Sequence, residues 1–245
     1  MITFNFYINL FARFIIVFIL FTVIGTLSHE FGHIAVAKYF GYETELSYGS
    51  MIYYPNGYEE DIDVKKFNQL NEEHFGQNYE DLDLSIQEEF DKVIANIETK
   101  FNWNEKHSLY IFIGGPAQTF LTSFLGLIII FYRRSYLKKK LKCLDWLGVM
   151  LALFSLRQVF NISTGIIKKI TGNEILGDEI YISRFLDLND WLISIITAVI
   201  GFAIVIYVIF KVIPLKLRFT FILSGFLGGI LGYLIWFKYL GKLLF

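Results

Sequence analysis

The chain has 245 residues, 55 % hydrophobic and only 18 % charged, with a mean hydropathy of +0.50. A soluble domain of this size would be left with a largely apolar surface, and a chain this apolar does not stay disordered, so both classes are excluded. The formal net charge of −1 hides a split: residues 42–106 carry sixteen acidic side chains against five Lys, a net −11, and the remainder carries +10. That split also excludes a uniformly basic, nucleic-acid-binding protein. A polytopic membrane protein remains.

The N-terminus has neither a basic region nor a small-residue cleavage site, so the first apolar segment is expected to stay attached. Helical character is expected over residues 8–40, long for one span, which needs roughly 20 residues. Residues 42–106 form an acidic extramembrane insert. Within it, 46–54, then Pro55-Asn56-Gly57, then 58–64 read as a hairpin around a turn. Ser85 with Glu88 three residues on is a capping-box signature, and Ile86, Phe90, Val93, Ile94, Ile97 and Phe101 follow at helical spacing. The insert is expected to be folded, with that helix laying its apolar face on the membrane domain and a solvated charged loop as the alternative for 65–84.

Further spans are expected at 107–132, 143–163, 191–213 and 219–240. The fold class is therefore an all-α polytopic membrane protein with about five transmembrane helices and a small acidic α+β insert between the first and second. The fifth span carries Gly225, Gly228, Gly229 and Gly232, whose four-residue spacing predicts close helix packing within the bundle. Cys143 is the single cysteine, so no disulfide forms within the chain. The connection at 133–142 carries six basic residues and 211–218 three more, which places both in the cytoplasm and the insert and residues 164–190 outside. No repeat relates the two halves, so a transporter reading fits poorly.

The chemistry concentrates in the first span. His29-Glu30-Phe31-Gly32-His33 is H-E-x-x-H, and residues i and i+4 of a helix share a face, so both imidazoles reach one Zn²⁺ while Glu30 is placed to take a proton from water. Ionisable groups in a membrane helix are costly and mark function by default. Catalytic zinc takes three protein ligands and keeps one position open, so a third ligand must come from elsewhere in the chain. Arg157 and Asn161 share a helix face and are expected to point into the bundle, either as orienting or substrate-contacting groups or as helix–helix hydrogen bonds. Gln118 and Thr119 carry the same alternatives. His74 and His107 lack a partner at ligand spacing and read as surface or interfacial.

A first membrane helix bearing H-E-x-x-H, then a second span opening on Gly114-Gly115-Pro116, resembles the site-2 protease family of intramembrane zinc metalloproteases. The resemblance covers 8–40 and 107–185. It implies His29 and His33 as zinc ligands, Glu30 as catalytic base and a third-span aspartate as the remaining ligand, for which Asp178 is preferred ahead of Glu179 and then Glu174, with Gly115 and Pro116 as groups behind the ligands or in contact with substrate. It also implies a substrate that is a membrane-anchored protein or peptide, a multi-pass location in a bacterial cytoplasmic membrane, and a strand element after the first helix that pairs with unwound substrate. The family's N-x-x-P-x-x-x-L-D-G segment is not matched: no proline follows Asn161 at that spacing, and Asp178 lies further on. Familiar members carry the site nearer the cytosol, against the charge bias here. The alternative is a non-catalytic membrane protein, with zinc or without it, that binds a partner through the acidic insert.

Overall fold

The computed structural model describes residues 4–101 and 103–245. Five helical segments are long and apolar enough to cross a membrane: Ile8–Tyr39, Glu105–Tyr132, Cys143–Ile170, Leu192–Val212 and Leu215–Leu244. The protein is thus an all-α bundle of five membrane-spanning helices, with an extramembrane segment between the first and second. All five fall where hydropathy places them.

The first span is α1 (Ile8–Tyr39), which ends where Gly41 takes φ +84°, the left-handed geometry that stops a helix with little cost only at glycine. It packs along α4 (Glu105–Tyr132), whose first turn is capped by the Asn104 carboxamide oxygen accepting from the Lys106 N–H at 3.0 Å. The third span is broken. α5 (Cys143–Ala152) passes through a tightened turn at Leu153–Ser155 into α6 (Leu156–Ile170). At the break the Ser155 N–H donates to the Ser123 hydroxyl of α4 at 2.8 Å. α6 leads to the short α7 (Asp178–Phe185), then α8 (Leu192–Tyr207), which closes in a π-helical turn at Val208–Val212. α9 (Arg218–Leu234) continues through a second π-helical turn, Ile235–Leu240, into α10 (Gly241–Leu244).

Lipid tails are as apolar as leucine, so association within the bundle depends on close packing rather than on escape from water. Glycines supply it. A Cβ on Gly228 would lie 2.7 Å from the Phe18 Cβ of α1, one on Gly232 2.9 Å from the Thr22 Cβ, and one on Gly225 3.0 Å from the Phe18 ring. Gly229 meets nothing within 4 Å, so it stands apart from the stripe that spacing alone assigns it to. On the other side, a Cβ on Gly126 of α4 would sit 2.6 Å from the Gly148 carbonyl of α5. The basic connection after α4 is folded around buried Asp145. Its Oδ1 accepts from Arg133 Nε at 2.9 Å, Ser135 Oγ at 2.6 Å and Lys138 Nζ at 2.6 Å.

The insert differs from the sequence expectation in four ways. The strands of its hairpin are β1 (Glu43–Leu46) and β2 (Met51–Tyr54), antiparallel with Glu43 opposite Tyr54 and Leu46 opposite Met51, so the turn is 47–50. Pro55-Asn56-Gly57 instead leaves the hairpin, and much of the expected second strand and following loop is α2 (Ile62–Glu73). In α3 (Leu84–Lys100) the N-cap is Asp83, not Ser85. The apolar face of α3, with Phe90, Val93 and Ile97, is buried against Val64 and Leu70 of α2 and against Leu82 rather than on the membrane helices. Lys100 latches the pair, its Nζ donating to Asp61 at 2.8 Å and Asp63 at 2.7 Å. The hairpin is the part seated on the bundle. Tyr53 Oη donates to Ser108 Oγ at 2.9 Å, Trp236 Nε1 donates to the Tyr48 carbonyl at 2.6 Å, and the Phe40 and His107 rings stack with centroids 4.1 Å apart.

Two outcomes follow from this packing. Gly228→Val should lower thermal stability in detergent by an amount typical of overpacking, about 1–3 kcal/mol, while Gly229→Val leaves it unchanged. Lys100 holds the Asp61 and Asp63 carboxyls below the ordinary aspartate range, chiefly by hydrogen bonding. A depressed carboxyl stabilises above its unfolded pKa, about 3.9, and ceases to as pH falls through its folded value. Hydrogen exchange should therefore show α2 and α3 loosening below about pH 4, and Lys100→Ala should remove that dependence.

Candidate metal centre

The centre forms where α1 and α4 touch backbone to backbone. A Cβ on Gly114 would lie 2.5 Å from the Gly32 carbonyl oxygen, and one on Gly32 would overlap the Gly114 carbonyl. Approach this close brings Gly115 over the two imidazoles. A Cβ there would collide with His33 Nε2 and sit 2.5 Å from His29 Nε2. Pro116 follows, and because it has no N–H the Phe112 carbonyl is left without its helical donor beside the site.

His29 and His33 are one turn apart on α1, and both are buried, His29 with 1 % of its surface exposed. Their Nε2 atoms are 3.2 Å apart. Asp178, at the start of α7, brings Oδ2 to 2.8 Å from His29 Nε2 and 3.3 Å from His33 Nε2. Donor atoms on a tetrahedral zinc at about 2.0–2.2 Å stand roughly 3.3–3.6 Å from one another. The two separations to His33 Nε2, 3.2 and 3.3 Å, come close to that, and the 2.8 Å between His29 and Asp178 would open by about half an ångström around the ion. All three are lone-pair donors aimed at one point, where a cation satisfies them together. The Gly115 position keeps that point open, since any side chain there would fill it. His29, His33 and Asp178 thus form a cluster able to coordinate a metal ion.

The outer nitrogens are held as metal-ligating histidines are. His33 Nδ1 donates to the Ile111 carbonyl at 2.6 Å, which fixes the proton there and leaves Nε2 bare. His29 Nδ1 lies 3.0 Å from the Thr119 hydroxyl. Thr119 therefore leaves the open class it shared with Gln118, which donates to Ser28 Oγ at 3.1 Å. Asp178 is positioned by α7, which is anchored by the Tyr181 ring stacked on Phe112 with centroids 4.8 Å apart.

Glu30 is 5 % exposed, and Arg157 from α6 brings its guanidinium Nη2 to 3.6 Å from Glu30 Oε1. Both line a cavity of about 550 Å³ that also takes in the three cluster residues, Asn161, the β2 residues Met51 to Tyr53, and Trp191. Gly115 stands against the two imidazoles, and neither it nor Pro116 lines the cavity. Glu174 is exposed and takes no part in the cluster, and His74 and His107 make ring contacts away from it. Glu179 is buried in the cavity wall, 3 % exposed, and burial, then the Asp178 charge, push its carboxyl up. Sequence reasoning weighed Glu179 only as a substitute ligand. Its place beside the cluster depends on how α7 docks, which no local pattern encodes.

The chain matches no protein-family model, no curated protein and no solved structure. What can be said of the site therefore rests on its own geometry: a His-His-Asp cluster among membrane-spanning helices, compatible with catalytic or structural zinc binding and with an intramembrane zinc metalloprotease fold in general.

Purified wild-type protein should retain about one zinc per chain, counted by plasma mass spectrometry, and Asp178→Ala should lose it on dialysis. Thr119→Val should weaken zinc affinity roughly tenfold in chelator competition, the usual scale for an outer partner of a ligating histidine. Glu174→Ala should leave both values unchanged.

Proposed function

We propose that the protein is an intramembrane zinc metalloprotease, a short and divergent relative of the site-2 proteases, that hydrolyses a peptide bond of a membrane-anchored protein or peptide. The observation that carries this reading is the position of Glu30. It is a buried carboxylate on the same helix turn as the two histidines, in the wall of the same cavity as the cluster, with a guanidinium 3.6 Å away. A purely structural metal site has no use for such a group.

His29 Nε2, His33 Nε2 and Asp178 Oδ2 would hold the ion, which when bound supplies a Lewis acid that polarises the scissile carbonyl and acidifies the attacking water. Glu30 takes the proton from that water on a carboxylate oxygen and delivers it to the leaving amine nitrogen. Arg157, with its guanidinium Nη2 3.6 Å from Glu30 Oε1, would hold the Glu30 carboxylate in place. The peptide must be extended to expose its carbonyl, because a helical substrate keeps its carbonyls hydrogen-bonded. β2 lines the cavity and belongs to a two-stranded sheet, so its edge away from β1 offers backbone groups to an extended segment.

Glu30→Gln should abolish cleavage, a loss of at least ~100-fold for a general base, with zinc content unchanged. Comparing membrane proteomes of cells carrying wild-type and Glu30→Gln protein should reveal an uncleaved membrane-anchored species in the mutant. Cleavage that survives the substitution removes Glu30 from the mechanism.

A further inference from the structure

The wall of the cavity contains a carboxylate that the hydrolytic chemistry leaves unused. Glu179 is 3 % exposed, and among the described residues its Oε1 has neither solvent nor a hydrogen-bond partner. It is not one of the three atoms that converge on the metal position. The rest of the carboxyl is held by Asn161 and by its own backbone N–H, and no basic side chain stands within ion-pair distance of it among the described residues, the Arg157 guanidinium acting on it only at longer range while pairing with Glu30. A buried acceptor without a donor is costly, and the cost is recovered when a ligand brings the donor.

We propose that Glu179 is a specificity residue that receives a cationic side chain of the substrate, so that the peptides cleaved carry a Lys or Arg beside the scissile bond. This rests on the proteolytic reading above. Three features of the cavity fit such a side chain. Its aromatic walls, Trp103, Phe112 and Trp191, suit the methylene stem and face of a long basic residue. Its volume of about 550 Å³ leaves room for a side chain as well as a peptide backbone. The hairpin that supplies part of its wall is acidic on its outer strand: Glu43 and Glu45 stand on β1 opposite Tyr54 and Ile52 of β2, outside the cavity lining. The field of these groups draws cations toward the cavity before contact, and a carboxylate inside then discriminates among those that arrive.

The test uses the purified full-length protein, zinc-loaded in nanodiscs, with quenched-fluorescent peptides that are N-acetylated and C-amidated. Each flanking position carries Lys, Arg, norleucine, Gln or Glu in turn. Wild-type protein should cleave Lys or Arg peptides at one flanking position roughly tenfold or more better in kcat/KM than their norleucine counterparts, the scale of a charge-assisted hydrogen bond. Glu179→Gln should retain zinc, lose that preference, and cleave the norleucine peptides within about twofold of wild type. On a Glu30→Gln background, anisotropy should show the labelled Lys peptide binding roughly tenfold more weakly once Glu179→Gln is added.

Equal cleavage of basic and neutral peptides by wild-type protein overturns the proposal while leaving the protease reading intact, and this arm needs no variant to fold. A uniform loss across all peptides in Glu179→Gln, or loss of zinc, also overturns it, making Glu179 part of the metal site or its scaffold. Peptides with a free N-terminus form a separate arm, and a preference confined to them overturns the side-chain assignment. If no peptide is cleaved in a Glu30-dependent manner, the protease reading falls and this proposal with it.

Discussion

The distance between α1 and α4 governs the rest of the site. At Gly32 and Gly114 the two helices meet with no side chain between them, and each glycine's missing Cβ is the other's carbonyl contact. Separating the axes by the width of one methyl group would draw the Ile111 carbonyl away from His33 and Thr119 away from His29. Both imidazoles would then be free to rotate. In lipid no hydrophobic force pulls the helices together, so only packing this tight keeps the interval short. Gly115 uses the same closeness differently, leaving a void over the imidazoles where every other residue would place an atom. The three residues Gly114, Gly115 and Pro116 thus set helix distance, metal space and a freed carbonyl in consecutive positions.

The third ligand comes from outside the spans, and this makes the centre a tie between parts of the chain. α7 is short and docks by a few contacts: Tyr181 on Phe112, Ser183 accepting from the Ile193 N–H at 3.3 Å, and its buried Ile180 and Ile182. Asp178 adds the bond to α1. A metal held by His29, His33 and Asp178 would therefore fasten the segment after the third span to the first span. Binding free energy at such a site is also folding free energy for the segment that completes it.

What the sequence makes legible is what local periodicity and composition encode. The five spans follow from apolar runs, and the shared face of His29 and His33 follows from a four-residue interval on a helix. The bias of the insert toward acid follows from counting. The hairpin was placed wrongly because Pro55-Asn56-Gly57 is a stronger turn signal than Ser47-Tyr48-Gly49-Ser50. The latter turn is selected by a tertiary contact, the Trp236 indole donating to the Tyr48 carbonyl from the far end of the chain. The α3 stripe was read correctly as a buried face, but periodicity does not name a partner, and α2 takes the place expected of the membrane domain. Gly229 shows the same gap in reverse: its spacing matches its neighbours, yet helix rotation turns it out of the contact.

The divided charge of the chain has a structural counterpart. Most of the acid lies on α2, α3 and their connection, which pack on each other, with the α2–α3 latch consuming some of it in Asp61 and Asp63. The insert residues that line the cavity, Gly49 to Tyr53 and Trp103, carry no charge, so the net −11 acts on it from a distance, where salt screens it over a Debye length of about 8 Å at physiological ionic strength. Glu43 and Glu45 are the acids paired across the sheet with β2, the strand that forms part of the wall, and both face solvent. A composition of −11 reads as one feature, but the fold puts most of it on a helix pair that packs on itself and leaves the insert's contribution to the cavity wall uncharged.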